Sequence, residues 1–132
     1  IHTAVEELLR YESPVQHTAR IAPYDLELCG KKIAKGDRVV AVLAAANRDP
    51  AKFADPDRLD LARADNRHLA FGWGPHFCFG AAIARMEAQI AFPLLFRRLV
   101  NPRLNESHLE WRHNAGLRGL TRLPLTFEAS PN

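Results

Sequence analysis

The chain has 132 residues, of which 47% are hydrophobic and 25% are charged, and its formal net charge is +3. These values are typical of one globular domain. The sequence has no run of about 18 apolar residues, which excludes a membrane-spanning helix, and its basic residues are too scattered to indicate a nucleic-acid-binding surface.

The first predicted element is a helix over residues 2–12. Apolar Val5, Leu8 and Leu9 recur at helical spacing, and Pro14 ends the pattern because the residue before a proline is disfavoured in helical geometry. The N-terminal residues include charged side chains where a signal peptide would have an apolar core. A cytoplasmic location is therefore expected. The chain begins inside this helical pattern and without methionine, which suggests a piece of a longer protein.

The middle of the chain combines short strands with an irregular stretch. Alternating runs predict strands over residues 26–29 and 38–43, with turns at Gly30 and Gly36. The stretch 47–67 is rich in Asp, Pro and Arg and has little periodicity. It is predicted to be irregular apart from one helical turn.

The C-terminal third begins with a second helix, predicted from Ala81 to about Val100. Pro93 is expected to kink or divide this helix. The tail over residues 109–128 is predicted to form two short strands around a glycine-bearing turn. An apolar stripe along the helix is predicted to belong to the core; its members are Ile83, Met86, Ile90 and Leu94.

Just before this helix lies FGWGPHFCFG, residues 71–80, which holds one of the two cysteines. Its glycines permit tight turns, and backbone amides and the start of the following helix favour a thiolate at Cys78. One cysteine cannot hold a structural zinc ion, but it is sufficient for haem iron because the porphyrin supplies the in-plane ligands. Two alternatives are a buried inert cysteine and a redox-active one, although Cys29 is not placed to resolve it.

The same ten residues resemble the haem-binding signature of the cytochrome P-450 family, Phe-x-x-Gly-x-x-x-Cys-x-Gly. All four fixed positions match, at Phe71, Gly74, Cys78 and Gly80. The resemblance extends over essentially the whole chain, in the order of the family, and is greatest to its soluble bacterial branch.

Two further segments carry the resemblance. EELLR contains the Glu-x-x-Arg of the family at Glu7 and Arg10, and DPDRLDLAR is similar to its meander, with Arg58 in the position of the meander arginine. The resemblance implies that these three side chains form a buried network. Taken alone, Glu7 and Arg10 would be read as a surface pair worth about 0.2–0.5 kcal/mol.

For the fold, the resemblance implies an α+β chain that is the C-terminal part of the mainly-α cytochrome P-450 fold. The expected order is helix, small β-region, meander, cysteine loop, long helix and β-hairpin. Residues 1–132 would be the haem-binding portion, with the N-terminal portion absent. The acid–alcohol pair that delivers protons in the family belongs to that portion, so no catalytic residue is expected beyond the haem ligand.

For the function, the resemblance implies a haem-thiolate monooxygenase that uses haem b. A ferredoxin or similar donor would reduce it, and one atom of O₂ would enter a small organic substrate. This chain alone is expected to bind haem without sustaining turnover, and self-association through an exposed haem-facing side is a hypothesis. The alternative is a catalytically inactive, truncated relative that acts as an interaction partner, against which the intact cysteine loop argues.

The resemblance also assigns individual residues. Cys78 would be the axial iron ligand with Phe71 beside it, and His76 and Arg20 would hold the haem propionates. The cofactor-binding set is completed by the loop glycines, and three residues would border the substrate pocket. In sequence order, the glycines are Gly72, Gly74 and Gly80, and the pocket residues are Val15, His17 and Leu117.

Overall fold

The computed structural model describes residues 1–105 and 109–129, and this part of the chain has the predicted α+β character. None of its helices is long and apolar enough to cross a membrane. The helices are α1 (His2–Tyr11), α2 (Leu43–Ala46) and α3 (Ala81–Arg98), with a short 3-10 turn at Gly74–His76. The strands are β1 (Thr18–Ile21), β2 (Leu26–Leu28), β3 (Lys31–Ile33), β4 (Arg38–Ala41), β5 (Leu99–Leu104) and β6 (Leu125–Ala129).

The strands form three antiparallel pairs: β1 with β4, β2 with β3, and β5 with β6. The β2–β3 hairpin turns at Cys29 and Gly30, whose φ angles are 50° and 74°. Two successive positive φ angles are typical of the two-residue turn that matches strand twist. Cys29 therefore lies in the turn, and the strand predicted over residues 26–29 ends at Leu28.

The final strand pair differs from the predicted hairpin. β6 lies in the predicted tail, but its partner is β5 rather than a second strand of the tail. β5 begins at Leu99, directly after α3, so α3 ends at Arg98 rather than near Val100. Between the two strands, the described residues form two isolated bridges, one from Trp111 to Leu120 and one from Leu117 back to Val15. The elements β1, β3 and α2 have only three or four residues each, which is too few to give a periodic pattern, and the sequence did not predict them.

The interior of the described chain is small and partly polar. Its buried apolar side chains are few and include Val5 and Phe53. Among the largest fully buried side chains are Arg10, Glu7 and Asn47. The Asn47 side chain donates to Ser13 Oγ at 2.6 Å and accepts the Leu69 amide at 2.7 Å. Buried polar groups need such partners, so hydrogen bonds as well as apolar contacts hold this region together.

Helix α3 is continuous across Pro93, which removes one backbone hydrogen bond without dividing the helix. The predicted core stripe is wrong for the described chain, because its four side chains are 46% to 56% exposed. Apolar periodicity predicts which face of a helix avoids water, but burial also requires a partner on that face. Within the described chain, α3 packs mainly against α1 and β5.

Candidate functional site

A largely apolar cleft of about 520 Å³ lies between the β1–β4 pair and the cysteine loop, residues 71–80. The end of α1, the start of α2 and the segment 69–71 complete its wall. Four of the predicted cofactor-binding side chains share this wall, namely Cys78, His76, Phe71 and Arg20, and the predicted Gly72 lies on it as well. The fold thus brings together residues that are up to 58 positions apart (78 − 20) in the sequence.

The backbone of the cysteine loop is folded back on itself. The Cys78 amide donates to the Phe71 carbonyl at 3.0 Å, and the Phe77 amide donates to the Gly74 carbonyl at 2.9 Å. Gly72 and Gly74 both have φ of 75°, in the left-handed region that favours glycine. These two positions therefore give a physical reason for glycine in the motif: they close the loop that presents Cys78.

The Cys78 side chain is exposed on the cleft wall. Among the described hydrogen bonds none ends at its sulfur, so the backbone donors expected from the sequence do not bond to it, although α3 begins at Ala81. A methyl group added at Gly80 would lie 3.8 Å from the sulfur, in ordinary contact. The sulfur is thus accessible from the cleft and makes no hydrogen bond to the described protein groups.

Arg20 and His76 are the two basic side chains on the cleft wall. Arg20 Nη1 donates to Thr18 Oγ1 at 3.0 Å and to the Ala19 carbonyl at 2.8 Å. No described protein acceptor binds its Nε or Nη2, which leaves a pair of donors suited to a carboxylate. Trp73, to which the sequence assigned only packing, also lines the cleft while being 82% exposed.

The residues predicted to border a substrate pocket are placed unequally. Val15 lines the cleft, whereas His17 and Leu117 are not among its lining residues in the described chain. Leu117 forms an antiparallel bridge with Val15. The His17 ring lies beside Gly116, where an added methyl group would meet Cε1 at 3.8 Å. The three residues therefore share one corner of the fold, but Val15 alone of the three faces the cleft.

Glu7 and Arg10 form a buried pair on α1, with Glu7 completely buried and Arg10 1% exposed. Arg10 donates twice to the Glu7 carboxylate, at 2.7 Å and 2.8 Å. Its remaining donors reach the carbonyls of Asn47 and Pro56 at 2.8 Å each and that of Arg58 at 3.3 Å. The pair thereby ties α1 to the irregular segment over residues 47–70, which we call the meander.

The meander arginine that pairs with Glu7 is Arg63 rather than the predicted Arg58. Arg63 Nε lies 3.1 Å and 3.2 Å from the two Glu7 oxygens. Arg58 is exposed, and its side chain makes none of the described hydrogen bonds. Its backbone carbonyl accepts from Arg10 and Arg63, and its amide donates to the Asp55 carbonyl. The two arginines are close in a segment without periodicity, so no spacing rule distinguished them, and only the path of the backbone does.

The surroundings of Glu7 determine its ionisation. Burial is the largest single effect and raises the pKa of Glu7, but hydrogen bonds from Arg10, the Asp60 amide and Arg63 outweigh it. The pKa falls from 4.5 to about 2. Glu7 is therefore a carboxylate at neutral pH, and its negative charge balances part of the positive charge of two arginines.

Comparisons with known proteins point to a single family. The cytochrome P450 family model matches residues 1–108. A biotin biosynthesis cytochrome P450 of Bacillus subtilis (strain 168) is 52% identical over 130 residues, covering 97% of this chain and 32% of that protein. The polyketide biosynthesis cytochrome P450 PksS of the same strain is 46% identical, covering 96% of this chain and 32% of that protein.

Solved structures give the same result. P450BioI in complex with hexadec-9Z-enoic acid ligated acyl carrier protein has a TM-score of 0.92 and 49% identity, covering 96% of this chain and 33% of that chain. The chain thus spans about a third of the length of the relatives that it matches. The family match, the identities and the superposition together establish that this chain belongs to the cytochrome P450 family.

Proposed function

We propose that this chain supplies the haem-binding portion of a monooxygenase that inserts one atom of O₂ into a small organic substrate. The observation that carries the proposal is the placement of Cys78 on the wall of an apolar cleft, on a loop closed by two positive-φ glycines. Haem b, when bound, would supply the oxygen-activating chemistry. Every other part of the proposal concerns what the side chains of this chain do.

The residues present fit a haem. Within residues 1–105 and 109–129 there is no group of three or more His, Cys, Asp or Glu that could hold a bare metal ion. A single thiolate suits a metal that brings its own in-plane ligands, as haem iron does. The apolar wall suits the porphyrin faces, and the free donors of Arg20 suit a carboxylate on its edge.

The proposed roles follow from these positions. Cys78 would hold the haem iron through its sulfur, and Phe71 would shield the sulfur from water. His76 and Arg20 would bind the propionates, while Gly72 and Gly74 would hold the loop in the conformation that presents the sulfur. Gly80, which lies beside the sulfur, would complete the cofactor-binding set.

The remaining parts of the proposal draw support from the family. A ferredoxin or similar donor would reduce the protein in the cytoplasm, and Val15 would contact the substrate. We retain self-association through the open cleft side as a hypothesis, for which sedimentation velocity at several concentrations is the test. A concentration-independent monomer would contradict it.

The test of haem ligation is spectroscopic. The purified protein is mixed with haemin, reduced and exposed to carbon monoxide, and the Soret band is recorded. We expect the strongly red-shifted band of a thiolate-ligated haem, its loss in Cys78→Ala, and no change in the matched control Cys29→Ala. Cys29 is also an exposed free cysteine, but it lies in the β2–β3 turn away from the cleft.

A free-haem or histidine-type spectrum that is unaffected by Cys78→Ala would refute the proposal. It would favour the alternative, an inactive cytochrome P450 relative that acts as an interaction partner.

A further inference from the structure

The Glu6 carboxylate joins three parts of the fold. Its Oε1 accepts from Arg85 Nε at 2.6 Å, and its Oε2 accepts from Arg85 Nη2 at 2.9 Å. The same Oε2 lies 3.1 Å from Nε2 of His68. Glu6 belongs to α1, Arg85 to α3 and His68 to the meander. One side chain therefore links two helices to the segment that leads into the cysteine loop.

The His68 ring also binds the backbone just before the cysteine loop. Its side chain is 2% exposed, and its Nδ1 accepts the Ala70 amide at 3.1 Å. A nitrogen that accepts carries no proton, so the proton of the neutral ring is on Nε2 and points at Glu6. Burial lowers the pKa of His68 against the opposing effect of Glu6, which agrees with this neutral form. Glu6 thus selects the tautomer that holds the Ala70 amide.

Both partners of Glu6 contact Phe71, the first residue of the cysteine loop. The Arg85 guanidinium lies over the Phe71 ring, 4.7 Å from its centre, and the His68 ring centre is 6.2 Å away. Phe71 in turn accepts the Cys78 amide through its carbonyl at 3.0 Å. A short chain of contacts therefore leads from Glu6 through Phe71 to Cys78.

We propose that Glu6 is a positioning residue for Cys78. It holds Arg85 and His68 against Phe71, and Phe71 then sets the backbone that carries the sulfur. Its neighbour Glu7 binds an earlier part of the meander, at the Asp60 amide and at Arg63, and makes no described contact with Arg85 or His68, so the consecutive glutamates have separate roles. The consequence for haem ligation rests on the function proposed above, whereas the ordering of the loop does not.

Hydrogen exchange measured by mass spectrometry tests the ordering of the loop without haem. In Glu6→Gln, which removes the charge, we expect the amides of residues 68–80 to exchange about tenfold faster, because a charge-assisted bond that closes this segment is lost. Exchange in β1 and β4 should be unchanged. Arg85→Lys keeps the charge but loses the planar two-point contact, and it should have the same local effect.

The matched control is Glu12→Gln, which removes the carboxylate that pairs with Arg118 at the other end of α1. It should leave residues 68–80 as protected as in the unsubstituted protein. Equal protection of this segment in Glu6→Gln and the unsubstituted protein would overturn the proposal. A uniform increase across the chain would also overturn it, since that is the signature of general destabilisation.

The carbon monoxide spectrum gives the second readout. At equal haem content, Glu6→Gln should show a smaller thiolate-type fraction of the Soret band than Glu12→Gln, and an equal fraction would contradict the effect on haem ligation. If the unsubstituted protein gives no thiolate-type band, the proposed function fails, while the exchange data still decide the role of Glu6.

Discussion

Substitution can test which meander arginine pairs with the buried Glu7 carboxylate. We predict that Arg63→Ala strongly destabilises the protein and that Arg58→Ala does not. The Arg63 side chain is 11% exposed, and its Nε lies 3.1 Å from the Glu7 carboxylate. It also donates to the carbonyls of Ala54 at 2.8 Å and Asp55 at 3.3 Å. Its loss would leave the buried Glu7 with a single arginine partner.

The size of the effect follows from this geometry. Removing one partner of a buried ion pair typically costs about 3–5 kcal/mol. Glu7 would still accept from Arg10, the Asp60 amide and Asn66, so we expect the lower end of that range, about 3 kcal/mol. Arg58 contributes only backbone groups to the described hydrogen bonds, and alanine retains them, so its substitution should stay within about 0.5 kcal/mol, as for other surface positions.

Urea-induced unfolding followed by far-ultraviolet circular dichroism is the assay. With a slope of about 2 kcal/mol per molar urea, a loss of about 3 kcal/mol lowers the midpoint by about 1.5 M. The midpoint for Arg58→Ala should move by less than about 0.3 M on the same basis. Equal shifts in the two variants, or a larger shift for Arg58→Ala, would refute the assignment of Arg63 to the network.

Three further predictions concern single positions. The pKa of Glu7 lies below its ordinary value, so its pairing stabilises the protein above about pH 5 and this contribution disappears as the pH falls towards 2. A fall in pKa from 4.5 to about 2 corresponds to about 3 kcal/mol. The free energy of unfolding should therefore decline as the pH falls through this range, and the decline should be smaller in Glu7→Gln. An equal pH dependence in the variant and the unsubstituted protein would contradict this prediction. Gly74→Ala should lower the free energy of unfolding by about 1–2 kcal/mol, because alanine is strained at the positive φ of Gly74 although there is open space for its methyl group. The control Gly119→Ala, also in open space but without a positive φ, should be nearly neutral in the same urea titration. Cys29→Asn should stabilise the β2–β3 turn by about 0.5 kcal/mol, since Asn tolerates the left-handed region better, and an unchanged or lower melting temperature would contradict this.

Features governed by local rules were predictable from the sequence. The glycines of residues 71–80 indicated a tight loop before a helix, and the structure has positive φ angles at Gly72 and Gly74 and begins α3 at Ala81. The α+β class and α1 were also predicted, because helical periodicity and proline punctuation act within a few residues. The grouping of Cys78 with Arg20 was expected from a family resemblance, and the structure places both on one cleft.

Other features depended on contacts between distant segments. Arg58 and Arg63 have the same side chain in the same irregular segment, and only the backbone path of the meander brings Arg63 to Glu7. The pairing of β6 with β5 rather than with a nearer strand likewise has no local signal.

The contrast between α3 and Glu6 shows why a local sequence pattern does not determine whether a side chain is buried or paired. The apolar stripe on α3 predicts a core face, yet it is exposed in the described chain. The charged Glu6, in contrast, joins α1, α3 and the meander. A sequence pattern states what a side chain prefers. Whether it is buried, paired or left open depends on which groups the chain places opposite it, and that is decided by the tertiary structure alone.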